Sequence, residues 1–251
     1  MASYRCSSGL PVCDLLSGFP MFSVILVTLA TDARTRAAVS TFDQDLLKRV
    51  FMDTQKHFQG DQHGTIHYDR DSIFPEDPRQ RTNRRYKLAF SDGKLEIFVF
   101  HFWSLGDFYI EFLPPTVKEL VVTQCGQKYP LSTRRLPRAS RSVNLSRNSL
   151  SGSLDLTRLP CEIEKFDVSS NKFSGEISLY YLPDTLQTLD ASRNSLGPSL
   201  LKYGEIPSSV KHIYLMWTGV SKIEAIEKKF TETGEKVIQL GSTEDGMLVW
   251  Q

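Results

Sequence analysis

A Leu-Pro pair recurs at Leu113-Pro114, Leu136-Pro137, Leu159-Pro160 and Leu182-Pro183, each 23 residues after the last, and Ile206-Pro207 follows 24 residues on. A fixed period of this length constrains the chain more than any bulk property does. Each unit must be one small supersecondary piece that stacks on its neighbours and buries its apolar face only against them.

The unit opening at Leu159 reads LPCEIEKFDVSSNKFSGEISLYY, with Ile163, Phe166 and Val168 leading to Asn171, then Phe173, Ser174-Gly175 and Ile177. Its core is L-x-x-L-x-L-x-x-N-x-L. The preceding unit supplies Val143, Leu145, Asn148, Leu150, Gly152, Leu154 and Leu156; the following one supplies Leu186, Leu189, Asn194, Leu196 and Leu200. Asn148, Asn171 and Asn194 hold the one polar position that points inward. A buried amide is costly unless its donors and acceptors are paired, so these side chains are expected to form a structural ladder on the backbone of adjacent turns. Cys125 takes that position in the first unit and Thr218 in the fifth, where the ladder ends.

Leu95, Phe98 and Phe100 repeat the spacing upstream and predict a degenerate first unit. Phe98, Phe100, Phe102, Trp103, Phe108, Tyr109 and Phe112 crowd around it, a density that fits core packing at a capped solenoid end better than a stacking platform for bases.

The Leu-Pro openings, the 23-residue period and the N-x-L/F-S-G-x-I/L-x-L tail resemble the leucine-rich repeat proteins of the kinetoplastid type, and more distantly the plant-type repeats that share Leu150-Ser151-Gly152 and Phe173-Ser174-Gly175. The likeness covers residues 91 to about 220. It implies an α/β leucine-rich repeat solenoid: a short curved parallel sheet, an irregular or 3-10 convex side, and use in protein contacts without enzymatic activity. The domain organisation expected is an N-terminal cap and polar basic linker over 1–90, repeats over 91–220 and a C-terminal cap over 221–251.

With 251 residues, 40% hydrophobic and a net charge of +1, no bulk charge points to nucleic acid. Cys6, Cys13, Cys125 and Cys161 show neither zinc spacing nor paired capping clusters, which leans towards a reducing compartment. Met21 to Ala30, MFSVILVTLA, has the length of a signal h-region, so residues 1–33 allow a targeting reading, yet the segment before it carries only Arg5 as a base. Leu15 to Ala30 contains Pro20 and is shorter than the roughly 20 residues a spanning helix needs. An intracellular, cytoplasmic location is the expectation; a secreted or surface location follows if Met21–Ala30 is a signal. The sequon Asn144-Leu145-Ser146 sits on a repeat strand, where a glycan would block the sheet face.

Thr41 with Gln44 offers a capping box for a helix whose Phe42, Leu46, Leu47, Val50, Phe51 and Phe58 share a face, predicting a helical N-terminal cap. Residues 59–85 read as a polar loop. Arg79, Arg81, Arg84, Arg85 and Lys87 run without an intervening acid and form a candidate contact for an anionic partner, nucleic acid included, against the plainer reading of a solvated face. His57, His63 and His67 with Asp61, Asp69 and Asp71 lack a ligand spacing, and no metal is expected. Asp92-Gly93 suits a tight hairpin between two strands. Ser221 and Glu224 predict a capped helix carrying Ile223, Ile226 and Phe230, followed by a hairpin of Val237–Leu240 and Met247–Trp250: a helix-hairpin C-terminal cap.

Function falls on the concave sheet. Aligned units predict one outward column of Val121, Asn144, Asp167, Asp190 and Tyr214, another of Gln124, Arg147, Ser170, Arg193 and Trp217, and small residues Thr123, Ser146, Ser169 and Ser192 with Met216 between them. The partner-binding candidates are Asn144, Arg147, Asp167, Asp190, Arg193, His212, Tyr214, Met216 and Trp217, with the last four as an aromatic anchor unless the C-terminal cap folds over them. Asp167 and Asp190 stack one repeat apart, and Arg147 and Arg193 are expected to pair them. No phosphate loop, nucleophile elbow or Cys-His arrangement is present, so no enzyme, cofactor or small-molecule substrate is expected. The expected function is a non-enzymatic scaffold or interaction module with a protein partner. The alternatives are a structural subunit of a larger, ribonucleoprotein-like assembly and a secreted recognition module.

Overall fold

A computed structural model of the chain describes residues 46, 49–53, 85–104 and 106–241. In chain order the strands are β1 (Arg85–Ser91), β2 (Lys94–His101), β3 (Glu119–Thr123), β4 (Ser142–Asn144), β5 (Ser151–Gly152), β6 (Lys165–Asp167), β7 (Lys172–Glu176), β8 (Thr188–Asp190), β9 (Ser195–Gly197), β10 (Leu200–Tyr203), β11 (His212–Tyr214), β12 (Lys222–Ala225) and β13 (Ile238–Gln239). The helix Thr231–Val237 precedes β13.

The main sheet has eight strands in the order β1-β2-β3-β4-β6-β8-β11-β13. Only β1 and β2 are antiparallel, joined by Asp92 and Gly93 at φ 48° and 74°, the left-handed pair that a two-residue hairpin turn demands. Every later neighbour is parallel, one strand per repeat. The sheet thus starts at Arg85, inside the segment expected to be cap and linker.

The Leu-Pro pairs explain how each unit returns to the sheet. Leu113, Leu136 and Leu159 end the 3-10 turns Ile110–Phe112, Thr133–Arg135 and Leu156–Arg158 in extended conformation, as a residue before proline prefers. Their side chains are buried, together with Leu182 and Ile206 at the later copies. The proline carbonyl then closes a turn: Val117, Ser140, Ile163, Leu186 and Val210 donate their N–H to Pro114, Pro137, Pro160, Pro183 and Pro207 at 3.0–3.2 Å. The next residue joins the neighbouring unit, with Lys118, Arg141, Glu164, Gln187 and Lys211 each donating to the preceding repeat at 2.8 Å.

On the other side of the core, β5, β7 and β9 form a three-stranded parallel sheet, and β10 pairs with β12. β5, β7 and β9 come from the segments around Ser151-Gly152, Ser174-Gly175 and Ser195–Gly197, a second sheet that the repeat pattern did not predict. Gly152 takes φ +106°, and a Cβ there would lie 3.2 Å from the Leu131 carbonyl oxygen, so the backbones meet closely only because no side chain intervenes.

Phe98, Phe108 and Phe100 are buried at the first unit, and Phe51 packs on them with ring centroids 5.7–5.9 Å away. Leu46, Arg49 and Val50 are helical, and Tyr109 donates its N–H to the Val50 carbonyl at 3.0 Å. Residues 51–53 form a turn instead of continuing the helix expected from Thr41 to Phe58, and the rest of that segment lies outside the described residues. Each buried phenylalanine contributes about 1.5–3 kcal/mol. Exposed ion pairs such as Lys118–Glu96 and Arg141–Glu162 contribute about 0–1 kcal/mol, so the apolar stack holds this end. Phe102 departs from the expected core: it is 41% exposed.

The C-terminal region differs from the sequence reading. Ser221 to Glu224 does not cap a helix; Lys222–Ala225 is a strand in register with Leu200–Tyr203. The alternation of Lys222, Ile223, Glu224 and Ala225 supports that pairing, and the repeat simply continues. The helix comes later, where Gly234 sits against the ring of Tyr203 and the Tyr203 hydroxyl donates to the Thr231 carbonyl at 3.3 Å. The second arm of the expected hairpin, Met247–Trp250, lies outside the described residues. Ile238–Gln239 runs parallel to β11 and is the last strand of the main sheet among the described residues, which end at 241.

Candidate recognition face

Strand register turns the sheet into three outward columns. The first runs Ile97, Glu119, Ser142, Lys165, Thr188 and His212; the second runs Val99, Val121, Asn144, Asp167, Asp190, Tyr214 and Gln239. Adjacent members lie about 4.8 Å apart, the spacing of paired strands. The third column continues past the short strands through Thr123, Ser146, Ser169, Ser192 and Met216.

A fourth row carries a backbone signature. Phe102, Gln124, Arg147, Ser170, Arg193 and Trp217 all take positive φ, between 52° and 58°, although none is glycine. Such a conformation is uncommon for these residue types and is held by hydrogen bonds on both sides. The N–H groups of Phe102, Gln124, Arg147, Ser170 and Arg193 donate to Thr123, Ser146, Ser169, Ser192 and Met216 of the next unit at 2.8–3.3 Å. Beneath the row lie the asparagines. Asn148 donates to Val122, Leu145 and Ser146; Asn171 to Leu145, Val168 and Ser169; Asn194 to Val168, Ala191 and Ser192, all at 2.7–3.2 Å. Their oxygens accept from Cys125, Leu150 and Phe173 of the preceding unit at 2.9–3.0 Å.

Cys125 fills the asparagine position with a thiol that reaches the carbonyls of Thr123 and Phe100, at 3.2 and 3.5 Å. Burial pushes that thiol up to about 11. Thr218 keeps the bonds within its own unit, to the Leu215 carbonyl at 2.7 Å and from the Val220 N–H at 3.2 Å, but is too short to reach back. Gly219 N–H bonds the Leu196 carbonyl instead, at 2.6 Å.

Asn144, Asp167 and Asp190 share one task. The side-chain oxygen of each accepts the N–H of the residue two positions on, Ser146, Ser169 and Ser192, at 2.9–3.0 Å, and so shapes the turn after the strand. The Asp190 carboxyl is raised above its ordinary range, first by burial and further by Asp167, against the Ser192 bonds and Arg193, which lower it. Among the described residues no ion pair joins Arg147 or Arg193 to either acid, contrary to the pairing expected from sequence. The left-handed turn sets each arginine one position beyond the serine, and both are exposed.

At the last repeat His212 stacks on Tyr214, ring centroids 5.7 Å apart and planes 18° apart; His212 is exposed and Tyr214 and Met216 are half-buried. Trp217 is 57% exposed. The described C-terminal segment extends the sheet edge beside these residues, with Gln239 paired to Tyr214, rather than lying over them. Of the basic run, Arg79, Arg81 and Arg84 lie outside the described residues, Arg85 opens β1, and Lys87 is a half-buried residue of β1 opposite Val99. His57, His63 and His67 also lie outside.

Sequence alignment missed Lys165, Thr188, Phe102 and Gln239 as members of this face. The first two precede the outward residue by two positions in every strand, and that alternation was the available signal. Phe102 was hidden among core aromatics.

The parallel one-strand-per-repeat sheet, the asparagine bonds crossing between units and the 23-residue spacing define a leucine-rich repeat protein. Similar solved structures include the ectodomain of the receptor kinase SOBIR1 from Arabidopsis thaliana, 17% identical with a TM-score of 0.49 over 74% of this chain and 97% of that one. Another is a Pollen Receptor Kinase 3, 19% identical with a TM-score of 0.36 over 56% of this chain and 82% of that one. No protein-family model and no curated protein matches the sequence.

Proposed function

We propose that this chain is a recognition module that binds a protein partner through its concave sheet, anchored at His212, Tyr214, Met216 and Trp217. The observation that carries this reading is Trp217, 57% exposed beside the His212–Tyr214 stack. Large aromatics left in water at the end of an ordered face contribute little to the fold, and Trp and Tyr are the residues that dominate binding hot spots. From Ser142 to Asp190 the columns are polar and mixed in charge, as the rim of such an interface is. The acids support recognition over turnover, since both carboxylates accept backbone N–H groups in the turns after their strands.

An intracellular site of action fits the same face. Ser146 Oγ donates to Asn144 Oδ1 at 2.7 Å within the sequon, and a glycan on Asn144 would stand in the middle of the sheet.

The test compares partners recovered with tagged wild-type chain and with Tyr214→Ala/Trp217→Ala, purified from the native cell. A stoichiometric partner retained by wild type and depleted more than about tenfold by a variant of unchanged melting temperature supports the reading. Equal recovery overturns it, as does lowered melting with unchanged binding.

A further inference from the structure

The turn after each short strand of the main sheet presents two successive backbone N–H groups, and in three units the solenoid takes up both. Asn144, Asp167 and Asp190 accept the first, from Ser146, Ser169 and Ser192, at 2.9–3.0 Å. Carbonyls of the next unit accept the second: Arg147, Ser170 and Arg193 donate to Ser169, Ser192 and Met216 at 2.8–2.9 Å. The fifth unit breaks the pattern twice. Tyr214 stands where the Asn or Asp side chain stands in the others, so a ring replaces the acceptor. Gly241 passes beside Met216, where a Cβ would lie 3.6 Å from the Met216 Cβ, yet its carbonyl does not take the Trp217 N–H. Among the described residues the N–H groups of Met216 and Trp217 meet no acceptor.

Backbone N–H groups are strong donors that folded chains pair almost without exception. Successive N–H groups beside a left-handed residue form a concavity that takes anions. Trp217 is that residue, at φ 58° and 57% exposed. Arg193 adjoins the same turn: its own N–H is bonded to the Met216 carbonyl at 2.8 Å, its side chain is exposed, and among the described residues it belongs to no ion pair. Asp190, the acid in register with Tyr214, does not serve these donors, because its carboxyl already accepts the Ser192 N–H and hydroxyl at 2.9 and 2.6 Å. Two open donors and a cation therefore stand together at the one corner of the face that also exposes a tryptophan.

Resting on the concave-face reading, we infer that the Met216–Trp217 turn binds a side-chain carboxylate of the protein partner, an Asp or Glu flanked by an apolar residue. A carboxylate oxygen accepts the Met216 N–H from the position that the Asp190 oxygen holds on Ser192, and the Trp217 N–H and the Arg193 guanidinium supply the further donors. The apolar neighbour packs on the exposed ring of Trp217. Hydrogen bonds to an ionised acceptor are about twice as strong as neutral ones, and an acid seated beside a tryptophan and an arginine joins the residue types that dominate hot spots. With Trp217 more than half exposed, the partner chain has room to run on past the carboxylate, which favours an internal Asp or Glu over a chain terminus.

The test follows the amide spectrum of the 15N-labelled full chain during titration with three short peptides: end-blocked Leu-Asp-Leu, end-blocked Leu-Asn-Leu, and Leu-Leu-Leu with a free terminal carboxylate. The Asp peptide is expected to move the Met216 and Trp217 amide protons downfield to saturation, and the Asn peptide to bind at least about tenfold more weakly. Arg193→Gln should weaken the Asp peptide at least about threefold without lowering the melting temperature. Tyr214→Asn restores the missing acceptor from within, so it should abolish the shifts while keeping or raising the melting temperature; Tyr214→Ala leaves the donors open and should keep the shifts at higher peptide concentration. Unmoved amides overturn the inference, as do equal responses to the Asp and Asn peptides or a stronger response to the terminal carboxylate. So do amides already engaged in the free chain and released by Glu244→Gln/Asp245→Asn, which would make the chain's own C-terminal segment the occupant. If the amides stay unmoved while Tyr214→Ala/Trp217→Ala still loses the partner recovered from the native cell, the carboxylate site falls and the concave-face reading stands; if that partner is also retained, both fall.

Discussion

Asn171 takes the backbone N–H of Leu150, in the preceding repeat, onto its side-chain oxygen at 3.0 Å and donates back to the carbonyl of Leu145 at 3.0 Å. One side chain therefore stitches two units, and its position 23 residues from both Asn148 and Asn194 makes the stitch continuous.

Replacing Asn171 with alanine leaves the Leu150 N–H and three carbonyls to find other partners in a buried site. Each buried group left unsatisfied costs about 1–3 kcal/mol, and a total loss of about 2–4 kcal/mol is expected in urea unfolding. A loss under 1 kcal/mol, on the order of an ordinary surface change, would show that the ladder is incidental.

Gly152→Ala is expected to destabilise by about 1–2 kcal/mol, because φ +106° is a conformation L residues rarely adopt and the new Cβ meets the Leu131 carbonyl oxygen at 3.2 Å. The neighbouring Ser153→Ala, at an exposed site, is the control and should stay within about 0.5 kcal/mol of wild type.

Asp190→Asn should stabilise the chain at neutral pH. The native carboxyl is raised above its ordinary value, so the folded state holds the proton more tightly than the unfolded one, and the charged form costs stability once pH exceeds the unfolded value. Asparagine removes that cost and keeps the acceptor for Ser192. The gain, read as a higher melting temperature, should disappear below about pH 3.9, where the carboxyl is protonated in both states.

Cys125 and Cys161 should separate by alkylation. The buried Cys125 thiol, raised from 9.0 to about 11, should resist iodoacetamide at neutral pH, whereas exposed Cys161 should react, as peptide mapping by mass spectrometry would show. Because the folded thiol holds its proton, stability should fall as pH rises from about 9 through 11. A Cys125→Ala variant should lack that component.

The repeat made the main sheet legible before any coordinates. Period and register are one quantity in a solenoid, so locating Leu120, Val143, Phe166, Leu189 and Ile213 also placed their outward neighbours. The turn at Asp92-Gly93 was legible for a different reason: few residue pairs accept two successive positive φ values. What stayed hidden was set by partners rather than by residue type. Gln124, Arg147, Ser170, Arg193 and Trp217 share a left-handed backbone that nothing in their side chains announces; neighbouring carbonyls and the asparagines below impose it. Lys222–Ala225 has both a capping pattern and an alternating one, and the waiting edge of Leu200–Tyr203 decides for the strand. The helix at Thr231–Val237 contains Gly234, a poor helix former whose missing side chain lets it lie on Tyr203.

Hydrogen exchange of the full chain with and without the recovered partner tests the central claim most directly. The account predicts slowed exchange in peptides spanning residues 142–147, 165–170, 188–193 and 212–217, strongest in the last, with the 3-10 turns at Thr133–Arg135 and Leu156–Arg158 unchanged. Protection confined to those turns, leaving Tyr214 and Trp217 as open as in the free chain, would contradict it.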